Sequence, residues 1–174
     1  ELESQIRLPK ELTEKWYLRP YYGTLSHNSK AVYQKYMGWY DSNPVNLDPL
    51  PPIEEAKNFI NYMGGAQKIL QKAAEDYQNG NYRWVAKVTN LIVFAEPDNQ
   101  DARLLCNKAL TQLGYQAESG TWRNEYLTGA LELAQGTIKN PDHYANGSQD
   151  LISHLTGEMV LNYLSLLTIP SDKQ

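Results

Sequence analysis

Between residues 53 and 137, apolar residues recur every three or four positions in five consecutive segments, most of them stopped by a glycine or a proline. That spacing lines one stripe of an α-helix and leaves no room for the alternation a half-buried strand requires. The pattern predicts helices over 53–63, 65–79, 82–95, 100–113 and about 121–137. Glu54 and Glu55 favour the N-terminus of the first, and Gly64-Gly65 stops it. The second is expected to bury Ile69, Leu70, Ala73, Ala74 and Tyr77, and the third Trp84, Val85, Val88, Leu91, Ile92 and Ala95. Ala102, Leu105, Cys106, Ala109 and Leu113 form the stripe of the fourth, which Gly114 closes; Trp122, Tyr126, Leu127, Ala130, Leu131 and Ala134 form that of the fifth. Upstream, a short helix over 9–18 starting on Pro9 and another over about 28–40, carrying Val32, Tyr33, Tyr36 and Tyr40, complete the pattern. Residues 41–52 hold four prolines and are read as an extended crossing anchored by Leu47 and Leu50. A loop over 139–148 and helical spacing over 149–168, broken near Gly157 and Glu158, end the chain. The fold class is all-α, a helical-hairpin bundle of about six to eight helices.

Gly80 and Gly114 lie 34 residues apart (114 − 80). Around the first, Gly80, Tyr82, Pro97 and Asn99 fall at the spacing of a tetratricopeptide helix pair, so the hairpins are expected to pack in that way. Val85 and Ile92 stand where that repeat uses small residues, and only about one and a half repeats are visible. A peptide-binding superhelix needs about three. A stand-alone tetratricopeptide-like interaction module is therefore the alternative functional reading.

Sixteen Lys and Arg against twenty Asp and Glu give a net charge of −4, and the pI is about 5.4. Such a chain lacks the basic face that a phosphate backbone attracts, so no nucleic-acid partner is expected, and a helix-turn-helix reading of LPKELTEKWYL fails on the same ground. No apolar run reaches the roughly 18 residues of a membrane span. Cys106 has no disulfide partner and reads as a small core residue in LLCNKAL. The opening ELESQIRLPKE has neither a secretory signal nor an initiating Met, so the sequence is expected to be part of a longer protein. Thirteen Tyr and four Trp stand against two Phe. Side chains with an apolar body and a polar tip suit surfaces covered by another protein, or the edge of a small core.

Catalytic patterns are sparse. His27, His143 and His154 show no metal-ligand spacing, Cys106 has no CxxC partner, and neither a GxSxG elbow nor a phosphate loop is present. Glu54-Glu55 and Glu75-Asp76 read as solvated helix faces, and Asn146-Gly147-Ser148 is a common chance sequon. One stretch is unusual: residues 18–40 gather Arg19, Tyr21, Tyr22, His27, Asn28 and Tyr40 around a glycine turn. These side chains are donors that could meet an anion. The residue types by themselves favour the plainer alternative, in which His27 caps the helix it precedes and the tyrosines line an interface.

At this point the sequence resembles a known family. LRPYYGTLSHNSKAVYQKYMGWYDSNPVNLDPLPP, NYMGGAQKIL, GNYRWVAKVTN, VFAEPDNQDARLL and ALTQLGYQAESGTWRNEYLTGALEL are similar to the dimerisation domain of bacterial alkylsulfatases, the dodecyl-sulfate-hydrolysing branch of the metallo-β-lactamase superfamily. The likeness covers about residues 9–137. It implies a secreted or periplasmic homodimer with a catalytic domain holding two zinc ions, a helical middle domain, and a C-terminal domain resembling sterol-carrier protein. On that likeness 1–18 is the exit helix of the catalytic domain, 19–140 the dimerisation domain, and 141–174 a linker with the first helix of the third domain. The HxHxDH zinc motif belongs to the part outside this chain, so no catalytic residue and no metal ligand is expected here, and the chain alone is expected to be inactive. Zinc-bound water, its pKa lowered to about 7, would attack the alkyl sulfate. The TLSHN turn would lie against the sulfate pocket, with His27 and Tyr40 in its wall. The chain's partners would be a second copy and its own catalytic and C-terminal domains.

Overall fold

The structure, a computed structural model, describes residues 8–137 and 153–167. Eight α-helices and no strand occur among them: α1 Lys10–Thr13, α2 Leu25–Met37, α3 Pro52–Tyr62, α4 Ala66–Gln78, α5 Tyr82–Ala95, α6 Gln100–Gln116, α7 Gly120–Gln135 and α8 Gly157–Leu167. Two short 3-10 turns, Trp16–Leu18 and Pro44–Asn46, interrupt the N-terminal part. The all-α expectation holds. The chain divides into two compact units, 1–137 and 138–174. In the second, the Thr156 hydroxyl accepts the Met159 N–H at 3.3 Å and starts α8, so the break falls just before Gly157. The 139–148 loop, with His143 and Asn146, lies outside the described residues.

Side-chain caps explain where three helices begin. Thr24 accepts the His27 N–H at 3.1 Å, Asn99 the Ala102 N–H at 3.0 Å, and Ser119 the Trp122 N–H at 3.5 Å. The Thr24 cap starts α2 three residues earlier than the apolar pattern indicates, and Gly38 ends it at Met37 rather than Tyr40. The expected 9–18 helix is cut to a single turn at Thr13, because the chain is extended at Lys15 before turning again at Trp16.

Helices α3 to α7 form the core. α5 lies between α3, α4 and α6; α4 also touches α6, and α6 packs along α7. The α4/α5 and α6/α7 hairpins repeat as the sequence spacing predicts, with α4 and α6 starting 34 residues apart (100 − 66). The buried cluster is built of Ile60, Ile69, Leu70, Ala73, Val85, Val88, Ile92, Ala102 and Ala109. Cys106 is buried beside it, as its sequence setting predicts, and burial pushes its thiol pKa up. Ala74, Trp84, Leu131 and Ala134, by contrast, face outward. Trp84 lines a shallow groove with Met63, Lys68 and Lys72 instead of entering the core.

The two glycines of the 34-residue period have different jobs. Gly80 ends α4 at φ 79°, a backbone region costly for any residue with a Cβ. Gly114 does not close α6, which runs on to Gln116. It is buried inside the helix, where a Cβ would lie 2.7 Å from Leu127 Cδ2 of α7. Its role is close helix approach.

No aromatic side chain among the described residues is buried, and no residue from Leu8 to Glu55 is buried at all. That N-terminal arm is half a hundred residues of ordered chain with no core of its own. Leu47 and Leu50, expected as anchors, are 62% and 49% exposed and take no part in the buried cluster.

Candidate functional site

The arm meets the helical core at the turn that leads from α6 into α7. Five consecutive residues of that turn each hold a residue of the arm. Glu118 Oε1 lies 2.6 Å from Arg19 Nε; Ser119 Oγ donates to the Tyr22 carbonyl at 2.6 Å; and the Gly120 N–H donates to the Tyr21 carbonyl at 2.7 Å. Thr121 Oγ1 donates to the same Tyr22 carbonyl at 2.9 Å, and Trp122 Nε1–H donates to His27 Nδ1 at 3.1 Å. The Trp122 and His27 rings are 4.7 Å apart at 57°. Nearly a hundred residues of sequence separate the two sides, so the turn acts as a clamp that fixes where α2 starts.

The residues gathered in the 18–40 stretch are thereby sorted. Arg19 faces Glu118, which neutralises it, and Tyr21 and Tyr22 contribute carbonyls rather than hydroxyls. The Asn28 side chain lies over Gly23, where an added Cβ would stand 3.4 Å from its Oδ1. His27 is not a helix cap: Thr24 caps α2, and His27 sits inside its first turn. Because His27 Nδ1 accepts the indole proton, the neutral ring carries its own proton on Nε2, leaving that N–H as a donor on an exposed side chain. An exposed N–H on a fixed ring can hold one oxygen of an anion.

Tyr40 is half-buried, its ring centre 5.9 Å from that of Trp39 and tilted 59° to it. It follows the far end of α2. His27 and Met37 are separated by ten residues of helix, roughly 15 Å at 1.5 Å per residue, so the two candidates mark opposite ends of one rod. Just beyond, Asp41 accepts the Asn43 N–H at 3.0 Å and the Asn46 amide at 2.7 Å. These bonds, the backbone one foremost, hold its carboxyl below the ordinary carboxylate value.

On the opposite face of α2, Leu25, Val32, Tyr33, Tyr36 and Met37 line a shallow apolar groove. Trp16, Trp39 and Tyr22 are 73%, 77% and 80% exposed. No group of three or more His, Cys, Asp and Glu comes together among the described residues to hold a metal, and no helix there is long and apolar enough to cross a membrane.

Comparison with known proteins agrees with this architecture. The alkyl sulfatase dimerisation family model matches residues 1–136. An alkyl/aryl-sulfatase of Saccharomyces cerevisiae is 52% identical over 166 residues, which are 95% of this chain and 25% of that protein. A linear primary-alkylsulfatase of a Pseudomonas species is 46% identical over 168 residues, 95% of this chain and 24% of that protein. The solved structure of a stereoselective inverting sec-alkylsulfatase from Pseudomonas superposes with a TM-score of 0.82 at 44% identity, over 95% of this chain and 26% of that one. The chain thus spans about a quarter of the length of the relatives it matches.

Proposed function

The chain belongs to the alkyl sulfatase dimerisation family, and we propose that it joins two copies of an alkylsulfatase and covers the active site of a neighbouring catalytic domain. The observation that carries this reading is the arm. Residues 8–51 are ordered by two helices, two 3-10 turns and a clamp, yet none of them is fully buried against the described residues of this chain. A segment of that kind is held by protein on its other side. Covering the arm's exposed aromatic and aliphatic side chains, Trp16, Tyr22 and Trp39 among them, is worth about 1.5–3 kcal/mol each. An obligate dimer interface removes roughly 1,000–2,500 Å² per partner. Two-fold symmetry lets one apolar face, such as that of α2, serve both partners.

The parent enzyme, on this reading, hydrolyses alkyl sulfate esters such as dodecyl sulfate to the alcohol and sulfate, in the periplasm or outside the cell. Residues 1–18 lead out of its catalytic domain, 19–140 form the dimerisation domain, and 141–174 lead into a C-terminal domain. The two zinc ions expected of the metallo-β-lactamase superfamily do not fit the described residues here, which bring no ligand set together. They are assigned to the catalytic domain. What this chain supplies is a wall: the His27 Nε2–H as a donor to a sulfate oxygen, with Tyr40 at the other end of α2. Light scattering of this chain at tens of micromolar should give a dimer, and the chain should release no sulfate from dodecyl sulfate with or without zinc. A strict monomer would refute the first half, and measurable turnover the second.

A further inference from the structure

We propose that Trp122 is a positioning residue for sulfate recognition: its indole N–H fixes the ring of His27 in the tautomer that presents Nε2–H to the anion. The inference rests on the reading of His27 as part of the sulfate pocket wall. A neutral imidazole offers one donor and one acceptor, and which nitrogen donates depends on what the other meets. Here Nδ1 meets a donor that can never accept, since an indole N–H has no lone pair to offer. The proton must then sit on Nε2. The ring contact at 4.7 Å limits rotation, so the donor is held in direction as well as in identity. Trp122 is itself fixed, being half-buried in the first turn of α7 next to three residues whose hydrogen bonds tie the same turn to Tyr21 and Tyr22. The charged groups on this turn are engaged elsewhere. Glu118 pairs with Arg19, and Arg123 donates to the Ala117 carbonyl at 2.9 Å. A ring free to flip would offer Nε2 as an acceptor part of the time, and an acceptor repels a sulfate oxygen.

Long-range proton–nitrogen correlation spectra of the ¹⁵N-labelled chain, recorded at mildly alkaline pH, test the tautomer directly. The wild type should show His27 as a single species with the proton on Nε2. Trp122→Phe, which keeps an aromatic ring but removes the donor, should show both tautomers. A single tautomer surviving in Trp122→Phe would overturn the proposal. Should that variant not fold, benzothienylalanine at position 122, an indole isostere without the N–H, carries the same measurement. In the full-length protein, inhibition by inorganic sulfate should weaken about tenfold in Trp122→Phe and in His27→Gln, and no further in the double variant, as for one hydrogen-bonded unit. Unchanged sulfate inhibition in His27→Gln would defeat the pocket reading, and the role of Trp122 toward sulfate with it. The tautomer spectra separate that failure from a failure of the hydrogen bond.

Discussion

Gly114 sets how closely α6 and α7 approach. A methyl group there would overlap Leu127, since both Cδ2 and Cγ fall within 2.8 Å of an ideal Cβ. Its backbone is ordinary helix, so Gly114→Ala gains up to about 1 kcal/mol in helix propensity and loses about 1–3 kcal/mol to overpacking. A net loss of about 1 kcal/mol is expected from urea unfolding, and in a Leu127→Ala background the same change should become neutral or stabilising. Asp41 offers a second local test. Its carboxyl is held below the usual 3.8 by the Asn43 N–H and then the Asn46 amide. A depressed folded value means that the turn is favoured above the ordinary carboxylate range and loses that contribution as pH falls through the depressed value. The Asn43 amide resonance should therefore titrate with a midpoint below 3.8. It should stop titrating in Asp41→Ala, and a midpoint at or above the ordinary value would contradict the hydrogen bonding described.

At the scale of elements, α7 is held at both ends by side chains from elsewhere. Its start carries the clamp. At its end, Arg103 of α6 donates from Nε and Nη2 to the Leu133 carbonyl, at 3.1 and 2.8 Å. Carbonyls of a last helical turn lack helical partners and carry partial negative charge, which a guanidinium suits. Arg103→Met keeps much of the side chain's bulk and should cost about 1–2 kcal/mol in thermal unfolding, with amide exchange quickened mainly over the last turn of α7. Helix α2 is the contrasting case. Its position comes from the Thr24 cap and the Glu118–Trp122 clamp rather than from a buried stripe. For that reason its start was misplaced by apolar spacing, whereas α3 to α7, which bury their stripes, were legible to within a residue or three. The clamp partners themselves were missed. Ser119, Gly120 and Thr121 look like any turn before a helix, and nothing local announces that they bond residues nearly a hundred positions upstream.

For the molecule as a whole, the division between core and arm is sharp: every buried residue among those described lies between Ala56 and Ala130. Removing residues 1–51 should leave α3 to α7 folded with a thermal midpoint within a few degrees of the intact unit, while light scattering reports loss of the dimer. Collapse of the helical signal on that truncation would show instead that the arm is integral to the core. Periodicity alone determined that the described chain is helical, most of the residues that α4 to α6 turn inward and that Cys106 is buried, because an amphipathic helix writes its burial into neighbouring turns of its own sequence. Among the described residues, the excess of Tyr and Trp lies at the surface or half-buried at the core's edge, with no aromatic side chain fully buried. Only the tertiary structure decided that Gly114 is a contact rather than an end, that Leu47 and Leu50 anchor nothing here, and that His27 is oriented by Trp122. Those facts depend on which distant segments meet, and a hydrogen bond between residues 27 and 122 leaves no periodic trace in either stretch of chain.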